Sequence, residues 1–334
     1  MMTARDIVKS AIAHHESGIV PYCICFTGDA YQKYKNELTE AFLTDEAKKA
    51  VNDGILNFYE ALSLSIGNHV FYTHDVPWWH WYDVPKCYYE NFDPPDFLPK
   101  TRGSGSYERF GEKLKYIKDT TDRYVLVTIY GSHFEKANFC RGIQNFLADL
   151  AGNRDFAKKL LDNIIRKNLV MLENLISYEE IDGILLGSDW GSQKTLLMSP
   201  STWRDLIAPG ELKEYELLKS AGKDVWIHSC GNIEKIIPDL IDMGVDVLNP
   251  LQPEVMDIYS IKKKYGDRLT FWGGISTQRT LPYGTPDEVK QEVREVITKL
   301  SKGGGYITAP AQEIQSDVPF ENILALIDEA RSFA

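Results

Sequence analysis

From about residue 120 onward the chain alternates short apolar, β-branched runs with stretches of helical periodicity. That alternation restricts it to the α/β folds built on parallel strands. Tyr124 to Tyr130 reads as a strand. Phe156, Leu160, Leu161, Ile164, Ile165, Leu169 and Leu172 then mark one face of a long helix. Ile181 to Leu186 is the next strand. Ser199-Pro200 opens a helix with serine as N-cap and proline in the first turn, and Gly222 is placed to end it. The unit repeats: strand Asp224 to His228, a helical stripe over Ile233, Ile236, Ile237, Leu240 and Ile241, and strands at Val245–Leu248 and Leu269–Trp272. Thr285-Pro286-Asp287-Glu288 has the form of a capping box ahead of Val289, Val293, Val296, Ile297 and Leu300. Tyr306–Thr308 is the last strand, and Phe320, Ile323, Leu324 and Ile327 begin the closing helix.

The N-terminal part is less regular. Ile19–Phe26 and Asn68–Thr73 read as strands, with one helix expected from about Thr44 to Ser65. Residues 84–104, rich in Pro, Tyr and Gly, read as an irregular excursion, and Tyr107, Phe110, Leu114 and Ile117 suit a short helix. No low-complexity linker divides the chain. About eight strands with intervening helices predict a (β/α)8 TIM barrel over residues 1–334, as a single domain with that N-terminal excursion. The competing fold is a doubly wound open sheet. Its nucleotide-binding form needs a glycine fingerprint after the first strand, which Phe26-Thr27-Gly28-Asp29-Ala30 does not provide.

Composition narrows the function. With 334 residues, 43% of them hydrophobic, the chain can bury one large core. A formal net charge of -11 without a basic run excludes binding to nucleic acid through phosphate neutralisation. Five cysteines, an odd number, and an N-terminus without a signal-peptide apolar block predict a reducing, cytoplasmic setting without structural disulfides. No run of about 18 apolar residues is present to span a membrane.

In a barrel of this type chemistry collects at the C-terminal ends of the strands. In chain order those ends read Thr27-Gly28-Asp29, His74-Asp75, Gly131-Ser132-His133, Ser188 to Gln193, His228-Ser229-Cys230-Gly231, Asn249 to Gln252, Gly273 to Ser276 and Ala309 to Glu313. Polar groups at all eight ends exceed what capping requires and favour a small-molecule pocket. His228 and Cys230 stand two apart, so in a strand both point to one face, and imidazole and thiolate are ligands that zinc prefers. A buried histidine beside an inert thiol gives the same spacing. Cys23 and Cys25 share it too, but their apolar neighbours fit core packing. Asp189 suits a ligand role or a turn cap. The run Trp78 to Tyr82 suits a stacking surface, a lid or an ordinary amphipathic cover. Gln252 and Gln312 can orient a ligand but have no acid–base role.

The segment from Asp182 to the C-terminus resembles the uroporphyrinogen decarboxylase superfamily, which also contains corrinoid-dependent methyltransferases. The resemblance rests on Gly187 to Gln193, Ser199-Pro200, His228-Ser229-Cys230-Gly231, Gly244 to Gln252, Gly273-Gly274-Ile275, Gly304 to Ile307 and Asp317 to Asn322. It implies a (β/α)8 barrel. The decarboxylases carry arginines after the first strand to bind substrate carboxylates. Here that place reads Phe26 to Lys33 without an arginine. Their histidine after the last strand corresponds to Gln312, and their aspartate after the second strand to Asp75. The methyltransferases hold zinc with His-x-Cys plus a later cysteine. His228 and Cys230 match the first two, and Gln312 stands in the third place.

The resemblance therefore implies a zinc-assisted methyltransferase. It would move a methyl group between a methoxylated or methylamine-like small molecule and a corrinoid carried by a separate small protein. His228, Cys230 and Gln312 are the expected metal ligands, with Glu313, Asp189 or Asp75 as substitutes for the third. His228, Cys230 and Glu313 are the expected catalytic residues, and Asp75, Asp189, Trp190, Gln193 and Gln252 the expected substrate contacts. Decarboxylation of a porphyrinogen and a non-catalytic ligand-binding barrel are the alternatives. Whether two copies associate is left open.

Overall fold

Alternating strands and helices account for the architecture of the computed structural model, which describes residues 2–73, 107–129 and 132–334. Seven strands are present among these residues: β1 (Val70–Thr73), β2 (Tyr124–Ile129), β3 (Gly183–Gly187), β4 (Asp224–His228), β5 (Val247–Leu251), β6 (Thr270–Ile275) and β7 (Tyr306–Pro310). The chain divides into two compact units. One comprises Met1–Tyr72, Glu112–Val125 and Asp246–Ala334, and the other Thr73–Gly111 and Leu126–Val245. Within each, hydrogen-bonded strand neighbours are parallel and follow chain order. No helix among the described residues is long and apolar enough to cross a membrane.

In the unit containing residues 126–245, β2 pairs with β3 and β3 with β4. The strands are continuous apolar runs because helices cover them, as parallel sheets require. The register sets Gly187 opposite His228, so the chain leaves β3 and β4 side by side. Helix Arg154–Leu175 buries Phe156, Leu160, Leu161, Ile164, Ile165 and Leu172, as its periodicity predicts, together with Asn163 and Asn168; Leu169 is only half-buried. The Ser199 hydroxyl accepts the Thr202 N–H at 3.0 Å, and Pro200 follows in the first turn. The helix then passes through a π turn, Trp203–Ile207, before Ala208–Ser220. Pro209 has no N–H to offer the Asp205 carbonyl, which explains the wider turn. Gly222, at φ +69°, lies just past the end. The stripe Ile233 to Ile241 forms a 3-10 turn, Glu234–Ile236, and a short helix, Ile237–Asp242, because Pro238 falls in its first turn.

In the other unit β5, β6 and β7 are neighbours, and the sequence-predicted capping box at Thr285 is present, with the helix Pro286–Leu300 behind it. Two expectations are corrected here. Ile19–Phe26 is not a regular strand: it makes isolated bridges at Tyr22 to Thr308 and Phe26 to Ile314. Pro21 lacks an N–H, and the Asn68 side-chain amide takes both the N–H and the carbonyl of Ile24 at 2.9 Å, replacing a backbone partner. The single helix expected over 44–65 is two, Asp45–Asn52 and Phe58–Ser65. Gly54, at φ +71°, turns the chain, and Asn57 with Glu60 caps the second helix.

Candidate metal and substrate site

His228 is the last residue of β4, and Cys230 follows the strand's end by two residues. The Cys230 sulfur lies 3.3 Å from His228 Nε2. From the neighbouring strand end, Asp189 Oδ1 accepts the Cys230 backbone N–H at 2.8 Å and lies 3.6 Å from His228 Nε2. The ligand atoms of Asp189, His228 and Cys230 all fall within 4.8 Å of one another. Asp189 and His228 retain 45% and 24% of their side-chain exposure, so the group is open to a ligand from solution.

Local packing imposes this geometry. The Ser188 N–H bonds the His228 carbonyl at 2.9 Å, and the Trp190 N–H bonds the Ser229 hydroxyl at 3.1 Å. Gly191 and Gly231 let the two loops cross. A Cβ on Gly231, whose φ is +84°, would lie 2.5 Å from the Gly191 carbonyl carbon, and one on Gly191 would lie 2.5 Å from the Cys230 oxygen.

Trp190, an expected substrate contact, is wholly buried and meets Trp203 edge-on, with ring centroids 5.4 Å apart. In this structure the indole packs in the interior rather than facing solvent. Gln193 is exposed on the turn closed by the Gly191–Leu196 bridge. Asp75, the run Trp78–Tyr82 and residues 84–104 lie outside the described residues.

The remaining expected residues belong to the other unit. Gln252 is buried, and its carbonyl accepts the Met256 N–H at 3.1 Å in the turn after β5. The Gln312 side-chain oxygen accepts the Glu313 N–H at 3.1 Å. Burial pushes the Glu313 carboxyl up to about 7. The Cys25 thiol is pushed well above its ordinary value by its hydrogen bond with Cys23, 3.9 Å away, by burial, and by the Cys23 and Glu313 charges.

Sequence reasoning missed Glu135 on the helix His133–Arg141. Burial and the nearby Asp189 charge push its carboxyl up to about 7, against the pull of Lys136 and of backbone hydrogen bonding at Asp189. It also missed the buried side chains of Lys136, Glu211, Glu214 and Tyr215, and it named His133 only as part of a strand end. A signal was present. Glu211, Glu214, Tyr215 and Leu218 share one helical face, so two carboxylates fall at core positions.

Comparisons with known proteins bear on the family and the fold. Over 131 residues the chain is 32% identical to a methylcobamide:CoM methyltransferase of Methanosarcina barkeri, covering 39% of this chain and 36% of the relative. Over 150 residues it is 23% identical to a uroporphyrinogen decarboxylase of Psychromonas ingrahamii, covering 41% of each. The chain thus spans about two fifths of the length of these relatives. A solved methyltransferase from Methanosarcina mazei shares the fold, with a TM-score of 0.70 at 19% identity, over 100% of this chain and 99% of that one. The sequence matches the uroporphyrinogen decarboxylase (URO-D) family over residues 93–333, well over half its length, and the chain belongs to that family.

Proposed function

We propose that this chain is a methyltransferase that moves a methyl group between a small molecule and a corrinoid carried by a separate small protein. The observation that carries the reading is the convergence of the Asp189 carboxylate, the His228 imidazole and the Cys230 sulfur. Oxygen, nitrogen and sulfur donors within one small sphere fit zinc, and three protein donors leave a position for substrate. Asp189 takes the third place that the sequence comparison gave to Gln312. When bound, such an ion supplies Lewis acidity to the donor atom of a thiol, ether or amine.

The chain's own residues do the rest. Asp189 holds the Cys230 backbone and so fixes the sulfur beside the imidazole. Glu135, whose carboxyl burial and the Asp189 charge push up to about 7, stands at the edge of the site. Gln193, Gln252 and Asp75 are read as substrate contacts, and Glu313 as a further catalytic group. We also read residues 1–334 as one (β/α)8 barrel domain. Supporting that, Pro21–Thr27 runs hydrogen-bonded beside β7 and supplies an eighth extended segment.

A decarboxylase for a polycarboxylate porphyrinogen is the weaker reading. After the first extended segment, where such a substrate needs cations, stands Asp29, held ionised to about 2 by hydrogen bonds from Ser316 and Thr27. The test is direct. Purified, unchelated chain should carry about one zinc ion and transfer methyl from methylcobalamin to a small thiol, both lost in Cys230→Ala. Turnover of uroporphyrinogen without methyl transfer would overturn the proposal.

A further inference from the structure

Beside the candidate site, in the same unit, lies a cluster of ionisable groups that the chemistry above does not use. His133, Lys136, Glu211, Glu214 and Tyr215 are all fully buried. Glu211 accepts the Ser132 hydroxyl at 2.6 Å on Oε1 and the Tyr215 hydroxyl at 2.8 Å on Oε2. The Asn168 side chain bridges the rest, accepting from Lys136 and donating to Glu214, each at 2.7 Å. Gly210 makes the approach possible: a Cβ there would lie 2.9 Å from His133 Nε2.

Both ring nitrogens of His133 have polar partners. Its Nε2 lies 3.1 Å from the Ile207 carbonyl, which can only accept, so Nε2 carries a hydrogen. Its Nδ1 lies 3.1 Å from Glu211 Oε1 and from the Ser132 hydroxyl. Burial works against a charge on His133, but the Glu211 and Glu214 charges and the hydrogen bond to Glu211 outweigh it and raise its pKa, which favours the imidazolium. With Lys136, Glu211 and Glu214 it forms one buried network, in which burial pulls Lys136 down to about 7 and pushes Glu214 up to about 7. Such a group is costly to disturb, since removing one member leaves a buried charge unpaired.

A chain of bonds leads from this cluster to the site. The Ser132 hydroxyl binds Glu211, and the Ser132 N–H binds the carbonyl of Gly187 at the end of β3. The next residue, Ser188, binds the His228 carbonyl, and Asp189 binds the Cys230 N–H. We infer that the buried ionic cluster is a positioning device for the Asp189–His228–Cys230 site, and that Ser132 is the residue connecting the two. The inference rests on reading that group as the working site. Outer contacts of this kind hold metal ligands in orientation, and their loss weakens binding by roughly 10–100-fold.

The test compares wild type with Ser132→Ala and Ser132→Thr, which restores the hydroxyl. Iodoacetamide labelling of metal-free protein, read by mass spectrometry, follows Cys230 and the buried Cys140 on helix His133–Arg141. Alkylation needs the thiolate, and the site's geometry holds the Cys230 sulfur 3.3 Å from His228 Nε2. A misplaced loop slows Cys230 by roughly threefold or more in Ser132→Ala while Cys140 stays protected, and Ser132→Thr recovers the rate. Unchanged Cys230 labelling, or a rise at both cysteines from general opening, would overturn the inference. Cobalt(II) titration of the same proteins tests the metal reading separately. Wild type that binds no cobalt defeats that reading, while the labelling result still decides whether Ser132 positions Cys230.

Discussion

Asp189 accepts the backbone N–H of Cys230 at 2.8 Å, across the ends of two adjacent parallel strands. One carboxylate thus holds the Cys230 backbone and also lies 3.6 Å from the His228 imidazole.

This double role separates two substitutions. Asp189→Asn keeps an oxygen for the Cys230 N–H but loses the charge. It should weaken cobalt(II) binding by roughly 10–100-fold with little change in the urea midpoint. Asp189→Ala should lose binding equally and also cost about 1 kcal/mol of stability.

The glycine crossing beneath the site predicts a stability effect of another kind. Gly231→Ala places a Cβ 2.5 Å from backbone at φ +84°. It should cost about 1–3 kcal/mol in denaturant unfolding and abolish cation binding as well, because the loop must move. Gly18→Ala, also at positive φ but with open space around the added carbon, should cost only the backbone strain.

Trp190 offers a check on its packing role. If the indole only supports the loop, Trp190→Phe should lower stability while leaving the apparent KM for substrate within about twofold. A large KM increase at unchanged stability would restore the substrate contact that the sequence suggested.

Glu313 predicts a pH dependence. Its carboxyl, ordinarily near 4.5, is pushed up to about 7 by burial. Between those values the folded chain keeps a proton that the unfolded chain releases. Stability attributable to this group therefore falls as pH rises from 4.5 to 7, and the loss is complete above pH 7. Glu313→Gln should be more stable than wild type at pH 8, by up to about 3 kcal/mol, and close to it at pH 4.5. Thermal unfolding of both proteins at the two pH values measures the difference.

The α/β class was legible because period-2 and period-3.6 patterns are carried by single residue types: Val125–Ile129, Ile184–Leu186 and the Thr285 capping box announce themselves. His228 and Cys230 were legible from their strand spacing. The N-terminal segment was not, since Asn68 replaces a strand by its side chain, a contact 44 residues away in sequence. Nor was the Asp189 bond to Cys230, which depends on β3–β4 register, or the ionic cluster, whose members are scattered from Ser132 to Tyr215 and are paired only by folding.

The most direct measurement is the cobalt(II) absorption spectrum of wild type and Cys230→Ser. The account predicts a thiolate-to-cobalt charge-transfer band at about one ion per chain, absent in Cys230→Ser and weakened in Asp189→Asn. Cobalt binding with no such band, or a band that survives loss of the Cys230 sulfur, would contradict it.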